Sequence, residues 1–126
     1  MVKFYKCALC GSVVAKLNEQ GCNPSCCGQE MKELRVGTVE AAVEKHIPAV
    51  KEEGGKLYVQ VGSTIHPMDP DHYIEWVYLL TDKEGRFHFL KPGDEPKCVF
   101  AVADNEVPLE VYAYCNKHGL WKADVE

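Results

Sequence analysis

The sequence predicts a mainly β protein in which a small cysteine-rich, metal-binding unit precedes a β-sandwich. Two observations support this fold class. Four cysteines with the spacing of metal ligands lie near the N-terminus, and short alternating apolar runs separated by turn residues fill the rest of the chain. We place the two units at residues 1–36 and 37–126. A chain of 126 residues is long enough for one modest domain with such an appendage.

The first unit contains a metal knuckle followed by an adjacent cysteine pair. Two residues separate Cys7 from Cys10, so the backbone can curl until both sulfurs face one ion. Cys26 and Cys27 are neighbours, whose side chains normally diverge, so gathering both on one ion should distort the tetrahedron. Spacing alone leaves zinc, as a structural staple for a unit with little core, and iron equally open. Cys22 lies between the pairs and is expected to be a free thiol in a loop.

The second unit reads as a series of antiparallel strands. Strands are predicted at 56–61, 73–80, 86–90, 98–102 and 109–115, the last being the final strand. Turn residues stand between them, at 54–55, 82–85 and 91–94. About seven strands on this spacing favour a β-sandwich. Cys98, inside an apolar run, is expected to be a small core residue, and His88, alternating with two phenylalanines, is expected to face solvent.

The final predicted strand carries a candidate metal ligand at its end. Alternate residues from 109 to 115 form one apolar face, so Cys115 should point inward. His118 follows in a turn closed by Gly119, close enough to share a metal with the thiolate. A Cys-x-x-His pair alone more often means a buried cysteine and a satisfied histidine.

Three further histidines stand in distinctive settings upstream. His46 precedes Ile47-Pro48 and could be a surface loop residue. His66 and His72 flank a turn built on two prolines, whose rigid φ angles would hold the two rings in a fixed relation. Each of these histidines has an ordinary structural explanation when it is considered by itself.

Taken together, these segments resemble one family. The motifs E-K-H-I-P at 44–48, H-P-M-x-x-x-H at 66–72 and Y-C-N-x-H-G-x-W at 114–121 follow the N-terminal C-x-x-C and C-C-G. This set closely resembles desulfoferrodoxin, the family of two-iron superoxide reductases, over nearly the whole chain. The resemblance implies a rubredoxin- or desulforedoxin-like unit and then a neelaredoxin-like sandwich of immunoglobulin-like fold.

The resemblance also implies two iron ions per chain. The first, held by four cysteines, has the ligands Cys7, Cys10, Cys26 and Cys27. The second, held by four histidines and one cysteine, has His46, His66, His72 and His118 around its equator and Cys115 on its axis. Zinc prefers four ligands, whereas five with an open sixth position suit ferrous iron. Beside that position the family pattern places Lys45, to attract an anion, and Glu44, to close the site after oxidation.

The implied activity is the one-electron reduction of superoxide to hydrogen peroxide. An external donor, such as a rubredoxin-like protein, would re-reduce the iron, while the N-terminal iron relays or stores electrons. The resemblance also suggests a homodimer. Two other hypotheses are a non-enzymatic electron carrier that uses both irons, and an interaction module stapled by zinc.

Charge and composition limit the classes of partner and the location that we expect for the protein. The net charge, 14 − 19 = −5, argues against nucleic acid or an anionic membrane as a partner, and no apolar run is long enough for a transmembrane helix. The N-terminus lacks the apolar core of a signal peptide, so we expect a cytoplasmic location. An odd count of seven cysteines, four of them with metal spacing, argues against a disulfide framework.

Overall fold

The computed structural model describes residues 2–37, 41 and 43–125. Contacts divide the chain into two compact units, Met1–Arg35 and Val36–Glu126. Both are built from antiparallel strands, so the predicted fold class, mainly β with a cysteine-rich unit before a sandwich, is confirmed.

The first unit holds two small sheets. Its strands are β1 (Lys3–Lys6), β2 (Val13–Lys16), β3 (Ser25–Cys26), β4 (Gln29–Glu30) and β5 (Lys32–Glu33). One sheet has the order β2-β1-β5, and β3 pairs with β4 in a short hairpin. One described core cluster consists of Tyr5, Cys7 and Met31, with Cys26 packed against them, and Phe4 is buried as well. Because this core is so small, a bound metal is the natural source of additional stability.

The second unit contains one helical turn and seven described strands. They are α1 (Val43–His46), β6 (Pro48–Glu53), β7 (Lys56–Val61), β8 (Ile74–Thr81), β9 (Gly85–Phe89), β10 (Lys97–Ala101), β11 (Pro108–Cys115) and β12 (Gly119–Asp124). No helix among the described residues is long and apolar enough to span a membrane.

Two sheets of the second unit face each other across one apolar core. One sheet has the order β10-β7-β6 and the other β12-β11-β8-β9. Alternation along each strand supplies the core residues, as the pleat requires. These are Leu57, Val59, Val61, Ile74, Val77, Leu79, Leu90, Cys98, Phe100, Val111, Ala113 and Cys115. The expectation that Cys98 belongs to the core is confirmed.

The outer face of the four-stranded sheet is also apolar. Trp76 and Tyr114 stack with ring centroids 5.4 Å apart, and Phe87 contacts Trp76 edge to face. His88 is exposed, as predicted, but Phe87 and Phe89 are also 39% and 73% exposed, so the alternation used to predict it is wrong. The two phenylalanines stack with each other on this outer face rather than entering the core.

The C-terminal segment is a hairpin, and 109–115 is not the final strand. β12 follows β11 directly and pairs with it from Glu110↔Asp124 to Cys115↔Gly119. Leu109 does not share the buried face of β11, since the pairing with β8 shifts register between Pro108 and Glu110 and leaves Leu109 42% exposed. Cys115 is fully buried, so the hairpin tip begins at an inward-facing thiol.

A buried carboxylate ties two loops together at the other end of β8. Glu106 accepts hydrogen bonds of 2.7 Å from both the Thr81 hydroxyl and the Arg86 guanidinium. The Thr81 hydroxyl, the Ala103 amide and Arg86 hold the pKa of Glu106 below its usual value. This network therefore stabilises the fold only while Glu106 is ionised.

We predict that Glu106→Gln lowers the urea midpoint at pH 7 and that the deficit shrinks as the pH falls. A lowered pKa in the folded state contributes stability above the unfolded pKa, and this contribution is lost as the pH drops through the folded value. Urea titrations of the wild type and the variant from pH 7 to pH 3 measure the difference between their midpoints. Acid effects common to both proteins cancel in this difference. A deficit that stays constant with pH would contradict the prediction.

Candidate metal centres

Four cysteine sulfurs converge in the first unit. Cys10 Sγ lies 3.5 Å from Cys26 Sγ, and Cys26 Sγ lies 3.8 Å from Cys27 Sγ. The Cys10 amide donates to Cys7 Sγ at 3.5 Å, as in a metal knuckle. All four sulfurs lie within 4.8 Å of one another. Cys22 is exposed and lies outside this cluster, as expected.

Backbone conformation explains how two adjacent cysteines can face one point. Cys27 has a φ of 54°, in the left-handed region, and is the only described non-glycine residue with a positive φ. This conformation is costly for an L residue and persists where the surroundings impose it. The knuckle itself is closed by a 3.0 Å hydrogen bond from Gly11 N–H to the Cys7 carbonyl.

Thiol acidity is distributed unevenly over the cluster. The Ser12 hydroxyl, followed by other hydrogen bonds, lowers the pKa of Cys10 to about 6. Hydrogen bonds with the neighbouring cysteines, Cys10 first among them, raise the pKa of Cys26 to about 12. The pKa of Cys7 is lowered by the Cys10 amide and that of Cys27 is raised by contact with Cys10, so a metal cation must displace protons chiefly from Cys26 and Cys27. Four soft sulfurs fit iron or zinc.

Four imidazoles in the second unit form a closed square. The centroid distances are 4.6 Å for His46–His66 and 4.9 Å for His66–His72, His72–His118 and His118–His46. Each neighbouring pair meets edge to face, with interplanar angles of 77° to 85°. This arrangement turns the ring nitrogens of all four histidines toward one another.

The hydrogen bond of one histidine fixes which of its ring nitrogens can bind a metal. His66 Nδ1–H donates to the Pro67 carbonyl at 2.6 Å, and a carbonyl only accepts, so His66 Nε2 carries a lone pair. His46 Nε2 lies 3.1 Å from His66 Nε2 and 3.1 Å from His118 Nδ1. His72 Nε2 is buried without a hydrogen-bond partner among the described residues.

One thiol completes this second cluster. Cys115 Sγ lies 4.0 Å from His118 Nδ1, and its sulfur and the four histidine donor atoms all lie within 4.8 Å of one another. Five converging donors, one of them an orphaned buried nitrogen, fit a single metal ion. Four nitrogens and one sulfur exceed the four ligands of a structural zinc site and suit ferrous iron.

Burial prepares these ligands for a cation. Desolvation lowers the pKa of His66 to about 4 and also lowers that of His72, so both rings are neutral at neutral pH. Burial raises the pKa of the Cys115 thiol, while the backbone N–H groups of His118 and Lys117 act in the opposite direction. These two amides therefore favour the thiolate.

His46 is positioned by the contact between α1 and the turn after β7. The Thr64 amide donates to the Glu44 carbonyl at 2.9 Å, and the Gly62 amide donates to the Ile47 carbonyl at 3.1 Å. Gly62 has a φ of 84°, and a Cβ there would stand 2.4 Å from the Thr64 carbonyl oxygen and 2.6 Å from that of Lys45. Only glycine allows this close approach.

A tight turn and an indole position the other rings. Backbone hydrogen bonds of 3.0 and 3.1 Å join Asp69 and His72 in both directions, which closes the loop between the second and third histidines. Trp121 packs on His46 with centroids 5.0 Å apart, and its Nε1–H donates to the His118 carbonyl at 2.9 Å. Trp121 thereby contacts one ligand and fixes the turn that carries another.

Every predicted ligand falls in one of these two clusters. Glu44 and Lys45 lie on α1, one or two residues before His46, with Glu44 exposed and Lys45 partly buried. Sequence reasoning overlooked Gly62 and Asn116. Asn116 stands inside the Cys-x-x-His motif, and that placement was the signal that could have identified it.

Comparison with known families matches both units. The family model described as desulfoferrodoxin matches residues 38–124, and the model of the desulfoferrodoxin N-terminal domain matches residues 1–34. A desulfoferrodoxin homolog from Archaeoglobus fulgidus is 44% identical over 123 residues, with 98% of this chain and 97% of that protein covered.

Two solved superoxide reductases align with the whole chain or with about two thirds of it. The superoxide reductase from Treponema pallidum aligns with a TM-score of 0.83 at 36% identity, covering 98% of this chain and 99% of that one. A one-iron superoxide reductase from Giardia intestinalis aligns with a TM-score of 0.57 at 32% identity, covering 66% of this chain and 98% of that one.

We predict that Gly62→Ala destabilises the protein by at least about 1 kcal/mol and lowers iron occupancy of the His/Cys centre, because the new Cβ pushes α1 from the turn. Gly55→Ala is the matched control. Gly55 also flanks β7, with a φ of 76°, but its added Cβ would meet only the Val102 carbonyl, at 3.9 Å. Urea unfolding and iron analysis compare the two, and equal iron loss in both would contradict the prediction.

Proposed function

The chain belongs to the desulfoferrodoxin family, and we propose that it is a superoxide reductase. The reaction consumes one electron and two protons for each superoxide that is converted to hydrogen peroxide. The observation that carries this proposal is the convergence of four imidazoles and one thiol on one point, with all five donors within 4.8 Å of one another. These residues would hold ferrous iron, which would supply the electron, and an external donor would restore it.

Cys115 tunes the centre from inside the core. The side chain is fully buried, and the backbone N–H groups of the following turn act on its sulfur. Those hydrogen bonds withdraw charge from the thiolate and so set its strength as an electron donor. The sandwich core around the side chain excludes water from the sulfur.

Lys45 provides a local positive charge that attracts the anionic substrate, although the protein as a whole is negatively charged. The net charge of −5 repels an anion, so its approach must depend on positive charge near the centre. Lys45 directly precedes the buried ligand His46 and is itself partly buried. We assign it the attraction of superoxide and the orientation of protonating water, and we assign exposed Glu44 the closure of the oxidised site.

The first centre serves electron storage or relay in this proposal. Its four sulfurs fit one iron ion, and its edge is accessible because Cys10 and Cys27 are exposed. All seven cysteines are free of disulfides, which supports a reducing, cytoplasmic location. The family resemblance supports a rubredoxin-like donor and a homodimer as further parts of the proposal.

Iron content and superoxide reduction test the proposal. Purified protein should hold about two irons per chain, and Cys115→Ser should abolish both the thiolate-to-iron absorption of the oxidised second centre and reduction of superoxide. Cys7→Ser is the control, because it should remove only the first centre and leave single-turnover reduction by the pre-reduced protein intact. Zinc at both sites after expression with ample iron would overturn the proposal.

Salt dependence tests the role of Lys45. We expect Lys45→Ala to lower the second-order rate with superoxide roughly 10-fold, within the range of local electrostatic steering. Salt should slow the wild type more than the variant, because screening acts on the charge that was removed. Glu44→Ala is the neighbouring control and should change this rate little while altering anion binding by the oxidised protein. Pulse radiolysis at several ionic strengths measures all three proteins, and equal rates for wild type and Lys45→Ala would exclude Lys45.

A further inference from the structure

A single amide side chain joins the two segments that carry three of the five ligands in the second centre. Asn116 Nδ2 donates to the Asp71 carbonyl at 3.0 Å, and Asn116 Oδ1 accepts from the Tyr73 amide at 3.0 Å. The backbone N–H of Asn116 donates to the Tyr73 carbonyl at 3.2 Å. The orientation of the amide follows from chemistry, since the Asp71 carbonyl only accepts and the Tyr73 N–H only donates.

The residues joined by these hydrogen bonds are sequence neighbours of metal ligands in both segments. His72 lies between Asp71 and Tyr73, and Asn116 lies between Cys115 and His118. The side chain of Asn116 therefore sets the position of His72 relative to both ligands of the hairpin tip. No other residue type of similar size offers a donor and an acceptor in this fixed arrangement.

The two histidines that flank the proline turn differ in the hydrogen bonds of their rings. The Pro67 carbonyl orients the ring of His66 directly, whereas His72 Nε2 is buried with no hydrogen-bond partner in the described chain. One other side-chain contact between the segments is the Lys117–Asp71 ion pair, at 3.8 Å and with side chains 51% and 83% exposed. Such an exposed pair contributes little.

We propose that Asn116 is a positioning residue that presets His72 against Cys115 and His118 before the metal arrives. Its two side-chain hydrogen bonds hold the His72 loop, so the protein does not have to order that loop when the ion binds. Removing them should weaken metal binding by roughly 10- to 100-fold, as is typical for groups that orient ligands. The inference rests on metal binding by the second cluster and does not require superoxide as substrate.

Cobalt titration of the apoprotein tests this role without any measurement of activity. Co²⁺ reports its ligands through visible absorption, and the four-cysteine cluster of the same molecule serves as an internal reference. Asn116→Ala should lower affinity at the His/Cys site by roughly 10-fold or more and leave the reference cluster unchanged. Asn105→Ala, at an exposed turn residue of the same unit, is the matched control and should change neither affinity.

A double-mutant cycle with His72→Ala separates positioning from general stability. If Asn116 acts through His72, then Asn116→Ala should cause little further loss of cobalt affinity in a protein that already carries His72→Ala. Asn116→Asp keeps the acceptor for the Tyr73 amide but places a second oxygen against the Asp71 carbonyl. It should therefore also weaken cobalt binding, and it replaces Asn116→Ala in the experiment if that variant does not fold. Unchanged cobalt affinity, or the same loss with and without His72, would overturn the inference.

The positioning role and the proposed function can fail separately. If the protein bound iron and reduced superoxide while Asn116→Ala kept its cobalt affinity, the proposed function would stand and the role of Asn116 would fall. If Asn116→Ala lost cobalt affinity through His72 while the wild type failed to reduce superoxide, the positioning role would stand alone.

Discussion

Desolvation of five electron-rich donor atoms at one point is the constraint on which the second unit depends. His46 Nε2 lies 3.1 Å from two other ring nitrogens, and His72 Nε2 is buried without a partner among the described residues. A buried acceptor without a donor is unfavourable, and so are close ring nitrogens that all carry lone pairs, unless a cation lies among them. The surrounding fold must therefore hold these side chains in place, and a metal ion then converts their repulsion into coordination.

The sandwich solves this problem by bringing its connections together at one end. The end of α1 before β6, the loop after β7 and the tip of the β11–β12 hairpin each contribute ligands. Cys115 pairs with Ile74 at the start of β8, so the hairpin tip and the His72 loop are neighbours through the sheet itself. Gly62, Asn116 and Trp121 then tie these connections to one another through short backbone and side-chain contacts.

Much of this arrangement could be predicted from residue types and spacing, and the remainder depends on tertiary contacts. β7 matches its predicted range of 56–61, because its alternation is regular, and the inward direction of Cys115 follows from the same rule. The exposure of Leu109 could not be predicted, since a register shift depends on the partner strand. Likewise, nothing in the local sequence predicts the positive φ of Cys27, and the place of Asn116 inside the Cys-x-x-His motif marks the residue without revealing its partners, which lie in a distant segment of the chain.

The two clusters differ in how metal binding relates to folding. In the first unit the described buried hydrophobic residues are only Phe4, Tyr5, Cys7 and Met31, one of them a ligand, so we expect the ion to supply much of the stability. In the second unit Cys115 is one member of a twelve-residue core, and strand pairing places the ligand loops whether or not an ion is present. We therefore expect metal to matter more for the folding of the first unit, whereas the second unit builds its site on a larger core of its own. That difference suits the second centre to chemistry, because a site assembled in advance can leave a position open to a small anion without losing its shape.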